Sequence, residues 1–154
     1  MKAVFSYKNI SEWFEPSNWN ALELDPKNII SDLRRLIPWN NILTARFASQ
    51  YDNKDRLDRV HLLFFTEKIL FYVYLGHGAF LCREYKAADL SVHINLLYSS
   101  ATKLKTIRLL FDIAENGNWK THYLDLTGSR ESYAHAKSLI DIFRKFKEGE
   151  LHHE

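Results

Sequence analysis

The spacing of the hydrophobic positions changes twice along the chain, and each change marks a change in predicted secondary structure. Apolar residues recur at helical spacing before Pro38, at strand spacing between Trp39 and Leu126, and at helical spacing again after Ser129. Strands that follow one helix and precede another, with no helices between them, are typical of an α+β domain. The pattern therefore predicts a leading helix, a run of short antiparallel strands and a closing helix.

The leading helix is predicted over residues 26–37. Asp25 is a favourable N-cap, Pro26 suits the first helical position, and Pro38 prevents the helix from continuing. Apolar residues fall on one side of this helix, at Ile29, Ile30, Leu33, Leu36 and Ile37. Such a stripe must be covered, so the helix is expected to lie over a sheet edge or to dock a second copy of the chain.

Short runs rich in β-branched and aromatic residues predict about seven strands, separated by turn signals. They span residues 42–51, 59–65, 68–75, 79–85, 91–98, 106–113 and 119–126. The clearest turns are Gly76-His77-Gly78 and Glu115-Asn116-Gly117-Asn118, where glycine supplies the positive φ that tight hairpins need. Short strands at near-regular spacing indicate an antiparallel sandwich or barrel.

The closing helix is predicted to begin after Thr127-Gly128-Ser129 and to end near Gly149. Its expected apolar face consists of Tyr133, Ala136, Ile140 and Phe143. The main domain is therefore predicted over residues 25–149, preceded by an N-terminal arm over residues 1–24 and followed by a tail over residues 150–154.

The N-terminal arm is predicted to contain a short helical turn over residues 11–15 and then irregular chain. Three of its aromatic side chains need apolar cover, at Trp13, Phe14 and Trp19. Packing on the parent domain is the favoured explanation, and contact with a protein partner is the alternative. These three residues are the candidate protein-contact residues.

Composition and charge narrow the function classes. The chain has 154 residues, of which 46% are hydrophobic and 26% charged, and its 21 Lys and Arg exceed its 19 Asp and Glu by a formal net charge of +2. Such a small excess gives no broad electrostatic surface for nucleic acid or an anionic membrane. A lone Cys82 cannot form an intrachain disulfide and fits a reducing compartment. Without a signal peptide or a long apolar span, a cytoplasmic protein is expected.

Two motifs, together with the order of elements, resemble the bacterial pleckstrin-homology-like domains. The first is Leu62-Leu63-Phe64-Phe65-Thr66-Glu67-Lys68-Ile69-Leu70-Phe71, two apolar strands joined by a Thr-Glu-Lys turn. The second is Glu84-Tyr85-Lys86-Ala87-Ala88-Asp89-Leu90, which carries a tyrosine and an Asp-Leu turn. The resemblance covers residues 26–147, although Glu67 stands where the family usually has Asp. It implies an open barrel of about seven antiparallel strands capped by the C-terminal helix, here with an added N-terminal helix.

The resemblance also implies a place for anion binding, because lipid-binding members use basic residues around the loop between the first two strands. The corresponding residues are Lys54, Arg56 and Arg59. Three aspartates lie among them, so a phosphate would meet little net attraction. A solvated turn with local ion pairs is the favoured explanation for this segment.

No catalytic, metal or cofactor site is predicted. The seven histidines do not form the short-spaced pairs that metal sites favour, and no phosphate-binding glycine loop or nucleophile elbow occurs. His122 and Asp125 suggest an acid–base pair, but a separation of three residues on an unbroken strand puts them on opposite faces.

The sequence therefore predicts a non-catalytic binding or assembly module that contacts protein or self-associates. Its contact surface is expected on the N-terminal arm and helix or on an open sheet edge. One alternative is a small-ligand protein or enzyme whose barrel interior holds an apolar molecule near His61 or His93. A weaker alternative is contact with anionic lipid headgroups. Nucleic acid is not expected as a partner, and no cofactor is expected.

Overall fold

A computed structural model of the chain describes residues 16–51, 53–54, 56–99, 104–128 and 130–153. Within these residues the helices are α1 (Pro16–Ala21), α2 (Pro26–Leu36) and α3 (Arg130–Glu148). The strands are β1 (Thr44–Tyr51), β2 (Leu57–Phe65), β3 (Ile69–Gly76), β4 (Ala79–Lys86), β5 (Leu90–Ser99), β6 (Leu104–Glu115) and β7 (Asn118–Gly128). Short 3₁₀ helices, Trp39–Asn41 and Ala87–Asp89, precede β1 and β5. The predicted α+β class is confirmed.

The strands belong to two sheets, of which one has the order β1-β2-β3-β4 and the other the order β5-β6-β7. Across the described strands no hydrogen-bonded pairing joins one sheet to the other, so the strands do not close into a barrel. The chain divides into two compact units, residues 1–84 with 152–154, and residues 85–151.

The segment before α2 differs from its prediction. Residues 16–21 form α1, where irregular chain was expected, and Trp19 and Leu22 are 3% and 0% exposed. Both belong to the hydrophobic core of the first unit, so Trp19 is a core residue and does not present its ring to a partner. Trp13, Phe14 and the helical turn predicted over residues 11–15 lie outside the described residues.

Helix α2 begins and ends as its sequence predicts. The Asp25 side chain accepts a hydrogen bond from the Lys27 backbone N–H at 3.0 Å, and Ile37 adopts extended backbone ahead of Pro38. Within the stripe, Ile29, Leu33 and Ile37 are buried, whereas Leu36 is 46% exposed.

The buried side of α2 packs within its own unit. It shares a core with one face of β2 and β3, which is made of Leu57, Val60, Leu62, Phe64, Phe71, Val73 and Leu75. The helix is therefore an integral layer over the four-stranded sheet, and its buried stripe is not available to dock a second copy.

Strand β2 is buried on both faces, which explains its run of four apolar residues from Leu62 to Phe65. Every residue from Val60 to Phe65 is less than 9% exposed, although neighbouring side chains point to opposite faces. A strand with one face in water would alternate polar and apolar residues, and this one does not. The register pairs Leu62 with Val73 and His61 with Tyr74, so His61 lies on the face opposite to α2.

Two tight turns adopt the geometry expected of two-residue hairpins. His77 and Gly78 have φ of 49° and 74°, and Asn116 and Gly117 have φ of 51° and 79°. Positive φ at both central positions is the signature of a type I′ turn, whose twist matches that of the flanking strands. The turns join β3 to β4 and β6 to β7, as the sequence predicted.

In the second unit, α3 contacts all three strands of the smaller sheet. Its buried residues recur at helical spacing, at Leu139, Ile142, Phe143 and Phe146. The predicted face contained Phe143, but Ile140 lies at its border and is only half-buried. The side chains of Tyr133 and Ala136 lie outside the described residues. Gly149 follows the helix with φ of 71°, which is the C-terminal glycine cap that was predicted.

Candidate functional site

The segment predicted to bind anions carries its own counter-charge. Lys54 and Arg56 are exposed in the loop between β1 and β2, and Arg59 lies on β2. The Arg59 Nε donates to the Asp58 carboxylate at 2.9 Å. The His77 Nε2 bonds the other oxygen of the same carboxylate at 2.5 Å.

Asp58 therefore ties the start of β2 to the β3–β4 turn. The hydrogen bond from His77, followed by that from Arg59, lowers the pKa of the Asp58 carboxyl below its usual value. A carboxylate already occupies the place between these two donors that a phosphate would need. The arrangement favours a locally paired turn over an anion site.

His61 is a buried, hydrogen-bonded residue. Its side chain lies on β2 with 5% exposure, and its Nδ1 shares a hydrogen bond of 2.6 Å with the Tyr72 hydroxyl. The rings of Tyr72 and Tyr74 flank it, each with its centroid 5.7 Å away. Burial, with a smaller contribution from the Arg59 charge, lowers the pKa of His61 to about 4, so the imidazole is neutral at physiological pH.

Cys82 is half-buried on β4, beside the core of the first unit. Burial, followed by the charge of Glu84, raises the pKa of its thiol to about 11. Because the thiolate is the nucleophilic form, this cysteine is poorly suited to covalent catalysis. It acts as a small apolar side chain.

A serine, a histidine and an aspartate meet on the second sheet, but their geometry is not that of a catalytic triad. The His93 Nε2 lies 3.1 Å from the Ser91 hydroxyl and 3.2 Å from an Asp112 oxygen. In a triad one ring nitrogen faces the serine and the other faces the carboxylate. Here a single nitrogen faces both. The remaining Asp112 oxygen accepts a hydrogen bond from Thr121 at 2.6 Å, which completes a polar row across three strands.

The candidate acid–base pair on β7 consists of His122 and Asp125, whose side chains lie outside the described residues. Strand β7 runs unbroken from Asn118 to Gly128, and His122 and Asp125 pair with Phe111 and Arg108 of β6. Within the described part of the chain, no three His, Cys, Asp or Glu side chains come together as a metal site.

A groove runs between β5 and the C-terminal part of α3, and we call it the β5–α3 groove. It has a volume of about 680 Å³ and is lined by Leu90, Ser91, Val92, His93, Ile94, Asn95, Arg144, Lys147 and Glu148. One of its walls is an outer strand, because among the described strands β5 pairs with β6 alone. Lys147 donates to the Ala87 carbonyl at 2.6 Å, which fastens the helix to the chain just before β5.

The side chains along the β5–α3 groove divide into two rows. Val92 and Ile94 are half-buried and project to the same face as the buried Leu90, while His93 and Asn95 project to the other face and are exposed. An extended chain laid along β5 would meet apolar groups on one side and polar groups on the other.

The outer strands differ in how they are protected. Natural proteins guard exposed edges with charged residues and proline. Arg46 lies on β1, Arg83 on β4 and Lys120 on β7. The ten residues of β5, LSVHINLLYS, contain neither a Lys, Arg, Asp or Glu nor a proline. Among the four outer strands of the described sheets, β5 is the one left without such protection.

A second groove, of about 470 Å³, lies in the first unit. It is lined by Asn40, Asn41, Leu43, Thr66, Glu67, Lys68, Ile69 and His153. Its floor is the tight turn between β2 and β3, where the Thr66 backbone N–H donates to the Ile69 carbonyl at 2.9 Å. That bond satisfies the turn internally. The Thr-Glu-Lys motif is therefore explained by the hairpin.

Sequence reasoning did not identify the β5–α3 groove, although it named His93 and an open sheet edge. The available signal was the absence of charge over Leu90–Ser99, which contrasts with the charged strands around it. The helical wall gave no signal, because Arg144, Lys147 and Glu148 have the ordinary composition of an exposed helix end.

Comparison with protein-family models, with curated proteins and with solved structures finds no significant match to this chain. None of the helices in the described ranges is long and apolar enough to cross a membrane.

Proposed function

We propose that this chain is a non-catalytic protein-binding module that takes up an extended segment of a partner along the outer edge of β5. In this mode a peptide adds a strand to a sheet, so that main-chain hydrogen bonds supply affinity and side-chain pockets supply specificity. The observation that carries the proposal is the uncharged edge of β5 beside a groove of about 680 Å³.

The pleckstrin-homology-like fold is part of the same proposal. Its support is the order of elements, in which a four-stranded sheet and a three-stranded sheet are followed by one C-terminal amphipathic helix. An edge strand beside that helix is a place where such a fold can receive a peptide.

The rival functions find less support in the contacts. Arg59, one of the three basic residues expected to bind an anion, is paired with Asp58, which also bonds His77, and this pairing disfavours a lipid headgroup there. The imidazole of His61, which was one of two candidates to line a cavity in the alternative of an apolar-ligand protein, is hydrogen-bonded to Tyr72 and packed between tyrosines.

Selection of a random displayed library of ten-residue peptides on the full chain provides the test. Selected peptides are then synthesised with N-methyl groups on every second amide, in two complementary sets. Alternate amides of an added strand point toward β5. One methylated set should abolish binding, and the other should leave it nearly unchanged.

A lysine substitution on the β5 edge tests the same proposal by changing the protein instead of the peptide. Asn95 is exposed on β5, so Asn95→Lys introduces the natural edge-blocking residue without disturbing a core. We expect at least about tenfold weaker binding. Asn40→Lys is the matched control, because Asn40 is also exposed but lines the other groove. Equal tolerance of both methylated sets, equal effects of the two variants, or a selection that enriches no peptide would each rule out strand addition at β5.

A further inference from the structure

The helical wall of the β5–α3 groove is more basic than the chain as a whole. Arg144 and Lys147 line it together with one acidic residue, Glu148. The strand wall carries no Asp or Glu. A partner segment in this groove therefore meets a net positive wall on one side.

The two cations are not equivalent. Lys147 already uses one of its donors on the Ala87 carbonyl at 2.6 Å. Arg144 is exposed, and within the described residues it makes no hydrogen bond or ion pair. Its planar guanidinium carries five N–H donors in a geometry that matches a carboxylate. Arg144 is thus the residue best placed to bind a carboxylate in the groove.

We infer that the β5–α3 groove recognises an extended protein segment with an acidic side chain, Asp or Glu, whose carboxylate binds Arg144. The inference rests on the proposed strand addition at β5. It adds the chemistry of the partner, because the acidic residue would lie on the side of the added strand that faces α3.

The apolar row defines the neighbours of that acidic residue. Val92 and Ile94 are half-buried beside the groove, so an added strand gains by placing β-branched or aromatic residues against them. Side chains that face α3 are two residues apart in an extended strand. The expected partner therefore has an acidic residue and an apolar residue two positions apart, both on the groove side.

Charge reversal at Arg144 provides the test. Peptides selected on the full chain should be enriched in Asp or Glu at one position. That position should be among the alternate residues whose side chains face α3. Arg144→Glu should weaken the binding of such a peptide about fivefold, which is the scale of one partly exposed charge pair. The same variant should prefer the peptide in which the acidic residue is replaced by lysine.

Lys145→Glu is the matched control, because it makes the same change in charge one residue away, at an exposed position outside the groove. It should leave the affinity for the acidic peptide within about twofold. Equal losses of affinity in the two variants would show that the effect comes from long-range electrostatics. That result would overturn the role of Arg144.

The outcomes separate this inference from the function on which it rests. In one outcome, the selected peptides bind in a way that is sensitive to N-methylation and to Asn95→Lys, yet they lack an acidic position and tolerate Arg144→Glu. That result would support strand addition at β5 and overturn the inference that Arg144 binds a carboxylate. Binding that is insensitive to N-methylation would overturn both strand addition at β5 and the role of Arg144. Preference for a phosphorylated over an acidic peptide at the same position would also overturn an Asp or Glu partner.

Discussion

At the scale of single residues, the environment of each titratable group decides what it can do. His61 and His93 each follow a valine and precede an aliphatic residue on a strand, and this local pattern does not distinguish them. In the structure His61 is 5% exposed, whereas the side chain of His93 is 58% exposed and lies beside Ser91 and Asp112. Burial removes the first from proton chemistry near neutral pH and makes it a sensor of acid.

We expect His61 to destabilise the fold as the pH falls. Its pKa is about 4 in the folded chain and close to the ordinary histidine value of 6.5 when the chain is unfolded. The unfolded state therefore binds a proton first, so stability is complete above about pH 6.5 and is lost as the pH falls toward about 4. The shift corresponds to about 3 kcal/mol. Urea unfolding at pH 7, 6, 5 and 4.5 measures it.

The variant His61→Gln removes the titrating group, so its unfolding free energy should depend less steeply on pH across this window. His152→Gln is the control, because His152 is exposed. A His61→Gln profile parallel to that of the unsubstituted chain would show that another group causes the acid sensitivity.

At the scale of secondary-structure elements, local signals fixed the ends of helices and the turns. Helix α2 follows its N-cap and its terminating proline, and the two type I′ turns follow their glycines. These signals act within a few residues, so they can be read from the chain directly. The side of α3 that is buried was less accurately predicted, because the packing partners decide which of several apolar residues face inward.

The N-cap of α2 gives a prediction at this scale. Asp25 accepts a hydrogen bond from the Lys27 N–H and another from the Asn28 side chain at 3.3 Å. Asp25→Ala should lower the free energy of unfolding by about 1 kcal/mol. Asp32→Ala is the control, because within the described residues Asp32 makes only an exposed ion pair with Arg35 at 3.1 Å, worth about 0.5 kcal/mol or less. Denaturant unfolding of the two variants checks the difference, and an Asp32 effect as large as that of Asp25 would contradict it.

At the scale of the whole molecule, the N-terminal segment is part of the folded structure from at least Pro16. Trp19 and Leu22 lie in the core of the first unit, and the Gly78 N–H donates to the Leu22 carbonyl at 2.8 Å. That bond joins α1 and its following turn to the β3–β4 hairpin. A boundary at residue 24 would therefore cut through a core.

Two tryptophans test this assignment. Trp19→Ala should cost about 3–5 kcal/mol of stability, because it removes a buried ring and leaves a cavity. Trp119→Ala should change stability by about 0.5 kcal/mol or less, because Trp119 is 65% exposed. Thermal and urea unfolding followed by circular dichroism measure both variants. Similar small effects would mean that Trp19 belongs to a detachable arm.

Patterns in the sequence were enough to establish the α+β class, the order of α2, the strands and α3, the α2 cap and the hairpin turns, but not α1. Each depends on spacing, on proline and glycine, or on caps, and these act over a few neighbouring residues. Which surfaces are covered depends instead on the packing of distant segments. That packing buried Trp19, surrounded His61 with tyrosines, paired Arg59 with Asp58, and left β5 as an outer strand beside Arg144. Those outcomes depend on residues far apart in the chain, and no local pattern of hydrophobicity encodes which of them meet.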